Sequence, residues 1–233
     1  MRLLLAAILV ALSAGAVEAQ EDPYTAAGRA AFLAADYDSA RRYLEPRAEA
    51  GDAEAQYWVG VMFVHGRGYP LLCHEAIRWY ERAATQGHPE ATFSLGFALY
   101  HGRGTSKGEC TLPSDPRRAA PWLQRAAKLG VPRAQYLIGH MYRNGNGVPP
   151  SEDAAFSWLQ KAADAGLPEA QFDLGLMHAN AGNNTDAYFW FFLLAKQGYP
   201  GAWTNADAVA KWMTTYEIYE AVRRAHSWSP AEQ

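Results

Sequence analysis

An all-α solenoid of helix-turn-helix repeats, with capping helices at its ends, is the fold this sequence predicts. Two recurring signatures and the composition predict it. Ala55-Gln-Tyr57-Trp-Val-Gly60 recurs as Ala91-Thr-Phe93-Ser-Leu-Gly96, Ala134-Gln-Tyr136-Leu-Ile-Gly139 and Ala170-Gln-Phe172-Asp-Leu-Gly175. A second signature follows each copy: Ala76/Trp79/Ala83/Gly87, Ala119/Trp122/Ala126/Gly130, Ala155/Trp158/Ala162/Gly166 and Ala187/Trp190/Leu194/Gly198. Alanine, Trp and Tyr are frequent while Val and Ile are sparse, a balance that suits close-packed helices better than sheets.

The first twenty residues bear on compartment. Arg2 supplies a minimal positive region, Leu3 to Leu12 an uncharged apolar run, and Ala14, Ala16 and Ala19 the small residues that signal peptidase needs. Residues 1–19 are therefore expected to be a secretory signal, cut after Ala19 or alternatively after Ala16. No cysteine lies near the cut, which argues against a lipid anchor. Nothing later reaches eighteen consecutive apolar residues, so the remaining chain is expected to be soluble.

Residues 20–54 are expected to form an N-terminal capping helix pair, with Ala26, Gly28 and Phe32 on one helix and Ala40, Tyr43 and Gly51 on the next. Four repeats follow, at 55–90, 91–133, 134–169 and 170–202. Each reads as two antiparallel helices. In the first, helix A, the leading Ala, aromatic, aliphatic and Gly share one face. The recurrent Gly costs helix propensity, roughly 1 kcal/mol against Ala, which implies a close approach by the partner helix backbone. Gly66/Gly68, Gly102/Gly104 and Gly145/Gly147 end helix A. Helix B is expected to bury Ala, Trp and Ala and to stop at its own Gly. Pro89, Pro132, Pro168 and Pro200 follow two positions later. The second repeat carries an insertion within Thr105 to Pro116, and the fourth has Gly182-Asn183-Asn184 in place of the Gly pair. Residues 203–233 are expected to hold two short capping helices, Trp203 to Met213 and Thr215 to Trp228, and a tail. Such helix pairs cannot bury their apolar faces alone and must stack.

This pattern resembles the Sel-one-like repeat, a subclass of the tetratricopeptide superfamily, over about residues 55–202. The resemblance implies a right-handed superhelical solenoid, helix A on the concave face, and service as an adaptor in bacterial envelope assemblies or signalling, or in eukaryotic secretory quality control. The Ala-rich leader favours an exported bacterial member in the periplasm.

Catalytic signatures are missing. His74-Glu75 lacks the second His of a zincin, and no Ser-x-x-Lys or Gly-x-Ser-x-Gly occurs. Gly102 to Gly108 lacks the ending of a phosphate loop. Asn183-Asn184-Thr185 is a glycosylation sequon, meaningful only in a host with that machinery. No enzyme activity, cofactor or metal is expected. The net charge of −3 argues against nucleic acid or an anionic membrane as the main partner.

The partner is therefore expected to be a protein or peptide; the sequence does not fix the oligomeric state, and a monomer is favoured. Three, six and ten residues after each leading Ala, the helix-A side chains share a second face. Its occupants are Trp58, Val61 and His65; Ser94, Phe97 and His101; Leu137, His140 and Asn144; and Asp173, Leu176 and Asn180. Trp58, Val61, His65, Ser94, Phe97, His101, Leu137, His140 and Asp173 are the candidate partner-binding residues, with Trp58 and Phe97 as anchors. Partial burial of this strip by curvature is the competing expectation. A secreted effector acting on a host protein, or a cell-wall-directed hydrolase, are the alternative functions. Cys73 and Cys110, the two cysteines, are expected to form a disulfide, with two free thiols or a redox switch as the alternatives.

Overall fold

The computed structural model describes residues 21–102 and 112–231, and among these twelve α-helices follow one another. They are α1 (Pro23–Leu33), α2 (Tyr37–Glu49), α3 (Ala53–His65), α4 (Cys73–Thr85), α5 (Pro89–His101), α6 (Pro116–Lys128), α7 (Pro132–Asn144), α8 (Glu152–Asp164), α9 (Pro168–Asn180), α10 (Asn184–Lys196), α11 (Ala202–Ala210) and α12 (Thr215–Ser227). From α1 to α11 each helix packs on the next, and α12 returns to α10. That is a stack of helix pairs, with α3, α5, α7 and α9 as the A helices and α4, α6, α8 and α10 as the B helices.

The recurrent helix-A glycine is a socket for one side chain. A Cβ on Gly60 would lie 2.6 Å from the Tyr80 ring, on Gly96 2.8 Å from Leu123, on Gly139 2.9 Å from Leu159 and on Gly175 2.6 Å from Phe191. Partner backbone comes next, with the carbonyl oxygens of Ala76 and Ala155 at 3.3 Å from the first and third of these. The expectation of a close approach holds, but a side chain makes it first. This corrects the expected helix-B stripe. The plug is the residue after each Trp, and Tyr80, Leu123, Leu159 and Phe191 are all buried. Trp79, Trp122 and Trp158 are half-buried. The Arg82 guanidinium covers the Trp79 ring at 4.6 Å and the Lys161 ammonium covers Trp158 at 4.5 Å, a cation–π shelter on the outer side of helix B.

Polar groups recur as regularly. Side-chain amides of Gln56, Gln135 and Gln171 donate to the carbonyls of Ala48, Ala127 and Ala163 at 3.0–3.2 Å. Each carbonyl lies in the last turn of the preceding helix, where it also accepts the turn N–H of Gly51, Gly130 or Gly166. The glutamine thus adds a second donor at a helix end and ties it to the next helix. In the second repeat Thr92 stands there instead, and its hydroxyl donates to the His88 carbonyl.

Pro89, Pro132 and Pro168 start the next A helix, at a position whose N–H would be unpaired anyway. Pro200 differs, because α11 begins two residues later at Ala202. The fourth repeat also departs in its B helix. Tyr188, Phe189, Trp190, Phe191, Leu193 and Leu194 of α10 are all buried. A helix apolar all round needs cover on every side, and α9, α11 and α12 supply it. Trp228 beyond α12 meets Trp190 edge-on at 6.5 Å, and the Ala231 N–H donates to the Asp164 carbonyl at 2.8 Å.

Candidate interaction face

The helix-A strip divides into a packed end and an open middle. Trp58 is half-buried against Phe32, with ring centroids 5.3 Å apart, and its indole N–H donates to Glu54 at 2.7 Å. It therefore joins the first helix pair to the first repeat, and Val61 beside it packs into the same cluster. Phe97 is different: it is 43% exposed. His101 lies over it at 4.3 Å and meets Tyr100 edge-on at 4.8 Å. A cavity of about 300 Å³ opens between α3 and α5, walled by Val64, His65, Ser94, Phe97 and Arg133 of α7. Of the two aromatics expected as anchors, Phe97 is the one whose ring reaches solvent beside a cavity. Leu137 is half-buried, and Asn144, Leu176 and Asn180 are exposed.

Two histidines organise charge along this face. His88 caps α5: its Nδ1 accepts the Ala91 N–H at 3.1 Å, which leaves the ring proton on Nε2, 2.8 Å from Glu54. This hydrogen bond, against the opposing cost of burial, holds the Glu54 carboxyl below its ordinary value, helped by the Trp58 N–H and the charge of Arg29. His140 is clamped in the third repeat. Its Nδ1 accepts from the Arg143 guanidinium at 2.8 Å, and its Nε2 lies 2.6 Å from Asp173. That separation is an ion-pair distance, with angles off those of a hydrogen bond. Arg143 also approaches Asp173 at 3.7 Å. His140 and Asp173 are thus brought together by the fold, from strip positions in successive repeats. Burial, and then the charges of Asp173 and Glu169, push the Tyr136 phenol upward.

Glu54, His88 and Arg143 stand outside the recurring signatures. His88 sits between the helix-ending Gly87 and Pro89, where the pattern marks only a turn. Cys73 is the first residue of α4 and is 4% exposed. Cys110, like residues 1–19 and most of the second-repeat insertion, lies outside the described residues. Among the described residues no group of three or more His, Cys, Asp or Glu could hold a metal ion, and no helix is long and apolar enough to cross a membrane.

Comparison with known proteins places this geometry. The Sel1 repeat matches the chain four times, over residues 53–88, 89–131, 132–167 and 168–199. The chain belongs to the Sel1 repeat family. These Sel1 repeats begin where the A helices begin, at or next to their first residue, two residues ahead of the leading alanines. Members of the family generally act as protein–protein interaction scaffolds. Among solved structures, a Sel1 repeat protein from Oxalobacter formigenes is 22% identical with a TM-score of 0.70, the match covering 88% of this chain and 82% of that one. The protein c5321, a protective antigen of uropathogenic Escherichia coli strains with an SLR fold, is 26% identical with a TM-score of 0.66. That match covers 80% of this chain and 40% of the antigen. The immunity protein Pa5087 from Pseudomonas aeruginosa shares the fold at 16% identity and a TM-score of 0.50, over 90% of this chain and 86% of that one. No curated protein matches the sequence significantly.

Proposed function

We propose that the chain is an exported scaffold that holds a partner protein or peptide along its helix-A face, with Phe97 as the principal anchor. The observation that carries this reading is the cavity between α3 and α5, beside which a large aromatic stands 43% exposed. Packing within the repeat does not account for a Phe there. The other repeats hold Val61, His140 and Leu176 at that position, so no structural rule fixes it. An aromatic that fills a desolvated pocket on a partner supplies a large share of binding energy, often above 2 kcal/mol on truncation. His65, Ser94 and His101 surround this anchor, and Leu137, His140 and Asp173 continue the surface. Trp58 and Val61 support it from the packed end. The leader-like residues 1–19 support export, and a bacterial periplasm is the compartment their composition favours.

Phe97→Ala tests the reading. Its melting temperature should stay within a degree or two of the parent, because the ring is not part of the buried core. Recovery of the partner from envelope extract should fall at least tenfold, about 1.4 kcal/mol. Unchanged capture by a normally folded Phe97→Ala protein would exclude Phe97 as the anchor.

A further inference from the structure

A second cavity opens at the last repeat, where the next helix starts late. The residue between the helix-ending Gly and the Pro caps the following A helix at His88, Val131 and Leu167. His88 stacks on Tyr57 with ring centroids 4.9 Å apart. Val131 is buried in the cluster against which Phe93 packs, and Leu167 and Tyr136 pack on the same cluster as each other. After the fourth repeat Tyr199 holds the equivalent place between Gly198 and Pro200, but the next helix, α11, begins only at Ala202 with Gly201 as its cap. Phe172 is 38% exposed, and a cavity of about 270 Å³ lies between α7, α9, the end of α10 and the segment that leads into α11.

Three aromatic rings line this cavity, those of Tyr136, Phe172 and Tyr199, together with the carboxylates of Glu169 and Asp173. No Lys or Arg is among the described residues that line it. Arg143 and His140 hold Asp173, while Glu169 stands exposed in the first turn of α9. We propose that this cavity binds an organic cation, an ammonium or guanidinium group carried on an apolar stem. Ring faces carry negative charge density and attract a cation laid over them, and the carboxylates give the charged head an ionic partner. An anion would be repelled by both. A neutral apolar group would leave the carboxylates partly desolvated with no partner. The volume lies below the range for drug-sized ligands and suits one such group. Its source is either a Lys or Arg side chain of a partner lying along the face, which rests on the scaffold reading above, or a free small amine, which does not.

Titration with Nα-acetyl-arginine amide and its neutral counterpart Nα-acetyl-norleucine amide, followed by amide NMR shifts and calorimetry, tests the site. The arginine probe should bind at least tenfold more tightly and move the amides of residues 169–173. Phe172→Ala and Glu169→Gln should each weaken it at least tenfold, and Glu169→Gln, at an exposed position, should do so at unchanged melting temperature. A capped Ala-Ala-Arg-Ala-Ala peptide that binds at least tenfold more tightly than the arginine probe assigns the cation to a partner side chain; equal binding assigns it to a free small molecule. Equal affinity for the arginine and norleucine probes, or an arginine affinity unmoved by both substitutions, overturns the proposal. No partner protein enters the titration, so its outcome is independent of capture through Phe97.

Discussion

Gly139→Leu is expected to lower stability by about 3 kcal/mol or more, at the upper end of overpacking costs in a well-packed core. The added Cβ alone would lie 2.9 Å from Leu159 and 3.3 Å from the Ala155 carbonyl oxygen. Leu159 is fully buried and cannot swing away without opening a gap elsewhere. The only relief is to separate α7 from α8. In a stacked array that separation damages the interfaces with α6 and α9 as well, because each repeat is stabilised by its neighbours. The melting temperature should fall by roughly 6–12 °C, given about 2–4 °C per kcal/mol for chains of this size. Lys128→Ala, at an exposed position ending α6, should move it by about a degree. Similar melts for the two variants would mean that the glycine socket does not set helix spacing.

Loss of a Cys73–Cys110 crosslink should cost about as much. We propose this pairing on three grounds: Cys73 is buried at the start of α4, Cys110 belongs to the segment joining α5 to α6, and export would place both in an oxidising compartment. Closing a loop of about 38 residues removes unfolded-state entropy worth roughly 3–4 kcal/mol in the chain-entropy account. Cys110→Ser leaves the buried Cys73 in place and should melt roughly 10 °C below the parent, and reductant should bring the parent to the same temperature. Non-reduced protein treated with an alkylating agent should show no modified cysteine by mass spectrometry. Two alkylated cysteines in protein purified from the periplasm, with melting indifferent to reductant, would contradict the pairing.

What the sequence made legible is what repeats. Gly60, Gly96, Gly139 and Gly175 mark the close approach of the helices in each unit, and their spacing alone gives the solenoid. The identity of the plug was not legible, because Trp79 and Tyr80 are adjacent and apolar and periodicity does not say which one meets the glycine. The outer Trp79 is half-buried with Arg82 lying over its ring, a contact between residues that each look like ordinary surface or core. Gln56 was visible as part of the motif, but its role depends on a carbonyl eight residues earlier on another helix. His88 shows the limit plainly. Its ring stacks on Tyr57 of the preceding A helix, a contact that cannot be read without the stack.

The strip itself was legible as a set of positions but not as a surface. Equal offsets from the leading alanine place Trp58 and Phe97 on one face, yet α1 brings Phe32 over the first, while among the described residues the second meets rings of its own helix, Phe93 and His101. The helix pair that precedes the repeats thus covers Trp58.

The most direct test of the scaffold reading is site-specific photocrosslinking in living cells. A photoreactive phenylalanine analogue placed at position 97 should trap the partner in high yield, while the same analogue at Arg82, exposed on α4, should trap little or none. Crosslinks from position 82 without any from position 97 would show that the partner uses the outer helix-B surface, and would contradict the reading of the helix-A face as the docking site.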